Sequence, residues 1–378
     1  MNKFLPLFFF SLFSIFSYAA EIKINGLYFS LDKYRKTAEI TYRGETPYSY
    51  KGEYKDVIDI PSKVSYKGTE YKVISIDECA FLGCEELLSV NIPSSVGYIG
   101  DSAFKNCINL MSVHFTNSVR TIGAMAFCNT KYLNAIHFKG TIYDYCTILM
   151  KSSISTAYDL FINGEKLLNL RIPDELESVN PYIFAGSNIV SLYIPYSINN
   201  IYDAAFANCK RLKEVKISSG VKYISYNAFY GNDSLKMVDF LGDLKDWCNI
   251  IFANDRANPT FCTHSLYINH QKIDVLNIPE NVKEIKHYAF VNTDITEINL
   301  GSSVVSFMST AIDGCTKLKK IVCKSYMPPA VYDHFQIDSD KLYLYVPKEV
   351  LLMYFDHPFW GKFTNITPIM EQESVWEE

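Results

Sequence analysis

Two histidines, His114 and His137, stand 23 residues apart in matching segments, SVHFT and AIHFK. Imidazoles spaced this way meet only if the chain returns to the same place every 23 residues, and there they could be paired ligands for a transition metal. No carboxylate or third histidine lies beside them in the row of matching positions, so two solvated rings are the reading and no metal site is expected. Glu214 and Asp239 stand in neighbouring copies of the same pattern. Carboxyl groups about 5–5.5 Å apart are what a retaining glycosidase requires. Lys216, however, falls directly beside Asp239 and would hold that carboxylate ionised rather than poised as an acid. The chain carries no G.G..G, P-loop, HE..H or G.S.G signature, so no catalytic residue, cofactor or enzymatic activity is expected. What remains is recognition. Arg171, Tyr193 and Lys216 are consecutive in the pattern, and Arg and Tyr are the residue types that most often anchor interfaces.

The element that positions these residues is a repeat. In LLSVNIPSSVGYIGDSAFKNCIN, residues 87 to 109, Val90 and Ile92 alternate with Ser89 and Asn91, so one face of a short strand is apolar and the other polar. Pro93 ends the strand, because it has no N–H for the ladder. Val96, Ile99, Ala103 and Phe104 then turn inward. The phenylalanine recurs as Phe81, Phe104 and Phe127, as Phe184, Phe206 and Phe229, and as Phe290, with Ile312 last. A fixed period of 22 or 23 residues means a solenoid, in which each copy is the wall against which the next one packs. The second outward position of successive copies reads Asn91, His114, His137, Arg171, Tyr193, Lys216, Asp239, Asn277 and Asn299. Three residues after the phenylalanine come Cys84, Cys107 and Cys209, with Cys315 after Ile312. Such a place is an inward, crowded turn position, so buried free thiols are expected there rather than disulfides or zinc ligands.

Two copies depart from the pattern in the same way. FKGTIYDYCTI (138 to 148) matches FLGDLKDWCNI (240 to 250), and each leads through a longer excursion into LFINGEK or LYINHQK. This is a higher-order duplication, and Tyr145 and Trp247 are expected to pack over the edge of these variant rungs. With 378 residues, 48% of them hydrophobic, and a net charge of −5, the chain can bury a large core. The acidic balance and the lack of any basic run argue against nucleic acid and anionic lipid as partners. MNKFLPLFFFSLFSIFSYAA reads as a signal peptide cut after Ala19, with no cysteine following it to carry a lipid, so no membrane span is expected to remain.

Residues 73 to 325 resemble the leucine-rich repeats of the BspA-like class, a bacterial family of exported or surface-exposed proteins. INGLYFSLDKYRKTAEITYRG resembles that family's N-terminal β-hairpin cap, and LYVPKEVLLMYFDHPFWGKFTNITPI resembles the closing segment of Bacteroides-type members. The fold expected is an α/β-type repeat solenoid dominated by short parallel β-strands, a right-handed leucine-rich repeat solenoid with β-rich N- and C-terminal caps. Its divisions would be a signal peptide at 1–19, a cap at 20–72, the solenoid at 73–325 with long variant rungs at 133–166 and 235–272, a C-terminal cap at 326–369 and a tail at 370–378. About ten rungs at ~4.8 Å each give a stack of roughly 48 Å. The resemblance implies a monomer at the cell surface or secreted, binding an extracellular protein or glycan through the concave face, with Arg171, Tyr193, Lys216, His114, His137 and Asp239 as the candidate contacts. A periplasmic or envelope scaffold without a host ligand is the alternative.

Overall fold

The computed structural model describes residues 22–49, 52–154, 156–332 and 339–370. The expected signal peptide and residues 371–378 of the tail lie outside the described residues.

Each repeat contributes a long strand and a short one, and both join parallel ladders. The alternation at Val90 and Ile92 becomes the strand Leu87–Asn91, with Val90 buried and Ser89 and Asn91 half-buried on the other face. It pairs in register with Ser112–Thr116, which pairs with Ala135–Lys139. The proline that follows opens a tight turn, closed by the Val96 N–H donating to the Pro93 carbonyl at 3.1 Å and, four copies later, by Ile198 donating to Pro195 at 3.2 Å. The chain then makes a two-residue strand, Tyr98–Ile99, which joins a second ladder with Thr121–Ile122 and Leu149–Met150. Pattern alone gave only inward side chains for that half; the ladder forms because identical turns stacked about 4.8 Å apart bring their backbone groups into reach.

Between the two ladders runs the aromatic spine. Phe81, Phe104 and Phe127 stack with centroids 4.9 and 5.4 Å apart, and Phe184, Phe206 and Phe229 at 5.7 and 5.5 Å. Each ring is held by a turn whose backbone has positive φ on both sides of it, as at Ser102 (55°) and Asn106 (62°) around Phe104. The second of these positions is always Gly or Asn, the residues that adopt it at least cost.

The cysteine place explains itself once stacked. The Sγ of Cys107 donates to the Phe81 carbonyl of the preceding rung at 3.0 Å, Cys209 to Phe184 at 3.2 Å, and Cys315 to Phe290 at 3.1 Å. Where cysteine is missing, the bonding differs: Thr130 and Thr293 donate to the carbonyl of their own rung's phenylalanine, Phe127 and Phe290, and Asn232 donates both to its own Phe229 and to Phe206 of the preceding rung. All ten cysteines are free thiols. Burial pushes the Cys84 thiol from 9.0 to about 11 and Cys209 to about 12. A shift to 11 lowers the thiolate population about a hundredfold, and the thiolate is the reactive form. Disulfide-exchange reagents at pH 8 should therefore modify Cys84, Cys107, Cys209 and Cys315 at least about a hundredfold more slowly in the native chain than in urea. Fast native labelling of these four, mapped by peptide mass spectrometry, or a Cys84–Cys107 linked peptide, would contradict the packing.

The variant rungs correct one expectation. Tyr145 and Trp247 do not lie over an edge but sit in the core, 2% and 0% exposed. Each is carried by a short helix, α1 (Ile142–Cys146) and α2 (Leu244–Asn249), started by an N-cap side chain, Thr141 or Asp243, that accepts from the backbone three residues on. A helical turn there swings a larger ring inward. Tyr145 stacks edge-on to Phe138 at 5.2 Å and lies 5.7 Å from Phe184, continuing the spine where the phenylalanine turn is absent. Trp247 packs on Phe240 at 5.3 Å and donates Nε1–H to the Ala289 carbonyl at 2.8 Å.

The excursions end in hairpins that divide the long sheet. Asp159–Ile162 joins the parallel ladder and then pairs antiparallel with Glu165–Lys166, and Leu266–Ile268 does the same with Gln271–Lys272. The return strand occupies the edge that the next repeat would use, so Asn169–Arg171 and Val275–Asn277 each begin a new sheet. These hairpin strands are also rungs, which a count of the phenylalanine period leaves out. The sheets at both ends continue into β-structure: Asp56–Asp59 extends the first, and Tyr343–Val346 and Asn365–Pro368 extend the third.

Candidate binding surface on the open face

The outward positions of the long sheet form three rows rather than one, because the hairpins interrupt it. The first runs Asp59, Asn91, His114, His137 and Phe161; the second Arg171, Tyr193, Lys216, Asp239 and Tyr267; the third Asn277, Asn299, Val322, Tyr345 and Thr367.

In the second row Arg171, Tyr193 and Lys216 are brought together as their register requires. The Arg171 guanidinium lies 4.3 Å from the Tyr193 ring centroid and donates from Nη2 to both Asp174 carboxylate oxygens at 2.9 and 3.1 Å. A planar cation with an aromatic face on one side and a carboxylate on the other is oriented by two contacts before any ligand arrives. Hydrogen bonding of the guanidinium to Asp174, and then to Tyr193, raises its pKa. Lys216 is paired with Glu214 at 2.8 Å, so Glu214 is engaged by its own strand neighbour. The three side chains, with Glu214 and Asn169, line a recess of about 290 Å³.

Asp239 is not an exposed contact. Its side chain is 1% exposed, accepts the His270 backbone N–H at 3.0 Å and pairs with His270 Nδ1 at 2.5 Å. The expected neighbour, Lys216, is across from it in register, but the partner that covers it comes from the tip of the second hairpin. A carboxylate closed off in this way cannot serve as the second group of a hydrolytic pair with Glu214.

His114 and His137 do meet, as half-buried rings rather than two separate solvated ones. They stack face to face with centroids 4.2 Å apart and planes 2° apart, and Phe161 continues the stack at 4.5 Å from His137. Phe161 escaped notice in the sequence because it belongs to an excursion, although the LFINGEK match to LYINHQK carries the signal. Parallel imidazoles at this separation point their lone pairs side by side rather than at one ion, and among the described residues no group of three His, Cys, Asp or Glu side chains could hold a metal. Burial lowers both histidines from the ordinary 6.5, and His137 lowers His114 further. With folded values below unfolded ones, the unfolded chain takes up protons first as pH falls, so the stabilisation is complete above about pH 6.5 and is lost progressively below it. The urea midpoint should drop between pH 7 and 5, and the drop should be shallower in a His114→Gln/His137→Gln variant. His357, also lowered by burial, leaves a residual slope. An identical slope in wild type and variant would contradict the stacked, half-buried geometry.

No helix among the described residues is long and apolar enough to cross a membrane. The family of BspA type leucine rich repeat regions matches residues 61–157, 146–258 and 263–336, in six copies. Among solved structures, a leucine rich cell surface protein from Faecalibacterium prausnitzii is 19% identical, with 80% of this chain and 94% of that one covered at a TM-score of 0.39. A leucine-rich repeat protein from Bacteroides ovatus is 20% identical over 92% of this chain and 100% of its own, at 0.36. A Treponema pallidum leucine rich repeat protein is 21% identical over 57% and 90%, at 0.39. No curated protein matches the chain in sequence. With nearly three quarters of its length matched by that family, the rungs and their phenylalanine spine have a name: the chain belongs to the BspA-type leucine-rich repeat proteins.

Proposed function

We propose that the chain is a non-enzymatic binding protein, exported to the cell surface or secreted, that docks an extracellular protein or glycan on the open face of its long sheet. The observation that carries this is the Arg171 cation fixed between Tyr193 and Asp174, beside Lys216, over a recess on a rigid sheet. Anchors of these types held in place before binding lose little entropy when a ligand arrives, and that is how a few residues come to dominate an interface. Membership of a leucine-rich repeat family is compatible with such a role but does not specify the ligand.

The test is binding of purified residues 20–378 to an array of extracellular matrix proteins, mucins and glycans, beside an Arg171→Ala/Tyr193→Ala/Lys216→Ala variant of unchanged far-UV spectrum. A specific signal that weakens at least about tenfold in the variant supports the reading. A signal of equal strength in both would move the site off this row. Protease treatment of intact cells checks the location: a surface protein is shaved, whereas a periplasmic one survives.

A further inference from the structure

The duplication supplies an internal comparison. His114 and His137 of the first copy correspond in register to Lys216 and Asp239 of the second. The two hairpin tips correspond too, Asn163–Gly164 to Asn269–His270, and all four residues have positive φ. In the second copy the His270 main chain and ring are tied down to buried Asp239. In the first copy the tip is Gly164, where an added Cβ would meet nothing within 4 Å. The result is a recess of about 470 Å³ over the first sheet, bordered by His114, His137, Asn91, Thr116, Lys139 and Asn163. That volume falls within the ~300–1,000 Å³ typical of small-ligand sites.

We infer that this recess is a subsite for an uncharged saccharide of a few rings, a proposal that rests on the open face being the ligand surface. Neither imidazole has a hydrogen-bond partner among the described residues, and none of their ring nitrogens is a buried orphan, so all four face solvent unused. A neutral imidazole presents one donor and one acceptor. A hydroxyl group does the same, so sugar hydroxyls can pair with a donor nitrogen or an acceptor nitrogen alike, whereas an anion leaves the acceptors unpaired and a cation leaves the donors unpaired. Asn163 cannot compete for the hydroxyls, since its amide is closed on the Gly140 backbone at 3.1 and 3.0 Å. An extended peptide is disfavoured because the floor is the face of a sheet whose main-chain groups are already paired, leaving no edge for strand addition. Lys139 is the single ionised group on the rim, at the end of the strand two residues beyond His137 and on the same face.

Calorimetric titration of the whole purified chain with maltotriose, cellotriose, galactotriose and tri-N-acetylchitotriose tests this, with trigalacturonate as the charged probe. At least one uncharged trisaccharide should bind, at least tenfold more weakly to His114→Ala/His137→Ala, and equally to Tyr226→Ala, whose exposed ring lies outside the long sheet. His137→Asp/Gly164→His copies into the first recess the closed pair that the second copy already folds around, and should abolish binding without loss of stability. Binding of none of the four uncharged sugars, binding that survives both double variants, or binding of trigalacturonate alone would overturn the inference. An array signal that depends on Arg171, Tyr193 and Lys216 in a chain that binds no sugar would remove this subsite and leave the open-face reading standing.

Discussion

Replacing Phe206 by alanine should destabilise the chain by about 4 kcal/mol, a magnitude typical of emptying a fully buried aromatic site. Phe206 is 0% exposed and is stacked on both sides, against Phe184 at 5.7 Å and Phe229 at 5.5 Å. A ring held between rungs cannot be replaced by collapse of its neighbours, because the rung spacing is fixed by two ladders of backbone hydrogen bonds. In a solenoid each rung touches only its neighbours, so the damage should also weaken the coupling between the two halves. Urea unfolding followed by circular dichroism should show a lower midpoint and a broadened or split transition. Tyr226→Ala, which removes a ring 56% exposed, should change stability by less than about 0.5 kcal/mol. A loss under about 1 kcal/mol in Phe206→Ala would mean that the spine does not hold the stack.

Asn232 is the second position where one substitution should have a large effect. It is buried, its Oδ1 accepts from the Cys209 N–H at 2.8 Å, and its Nδ2 donates to the Phe206 and Phe229 carbonyls at 3.1 and 2.8 Å. Alanine there leaves the Cys209 N–H and the Phe206 carbonyl without their partner, while the Phe229 carbonyl keeps only the Cys262 thiol at 3.5 Å, and each orphaned group costs on the order of 1–3 kcal/mol, so a loss of about 2 kcal/mol or more is expected. Cysteine is the informative alternative. In neighbouring rungs its thiol donates to the carbonyl of the preceding phenylalanine, so Asn232→Cys should keep the Phe206 bond and lose roughly half as much. Equal losses for Ala and Cys in the same urea titration would show that the cysteine place is a matter of size alone.

The repeat was legible because its physics is local and periodic. Val90, Ile92, Val96, Ile99 and Phe104 are buried where alternation and period put them, and the inward thiols follow from the same register. The trio Arg171, Tyr193 and Lys216 was legible for that reason too, since register alone brings them together. What escaped depended on contacts across the excursions. Asp239 reads as outward from its own strand, and only the arrival of His270 from 31 residues away buries it. Tyr145 and Trp247 sit where no rung of the standard pattern places an aromatic, and their inward course depends on the helical turns capped by Thr141 and Asp243. The division of the long sheet follows from the antiparallel returns at Glu165–Lys166 and Gln271–Lys272, whose effect on strand pairing leaves no mark on the period.

The open face as binding surface is tested most directly by hydroxyl-radical footprinting of the chain with and without whichever array component it binds. Oxidation of Tyr193, His114, His137 and Phe161 should slow in the complex, while Tyr98 and Tyr226, exposed outside the long sheet, should react as before. Protection of Tyr98 or Tyr226 with unchanged oxidation of the open-face rings would contradict the account.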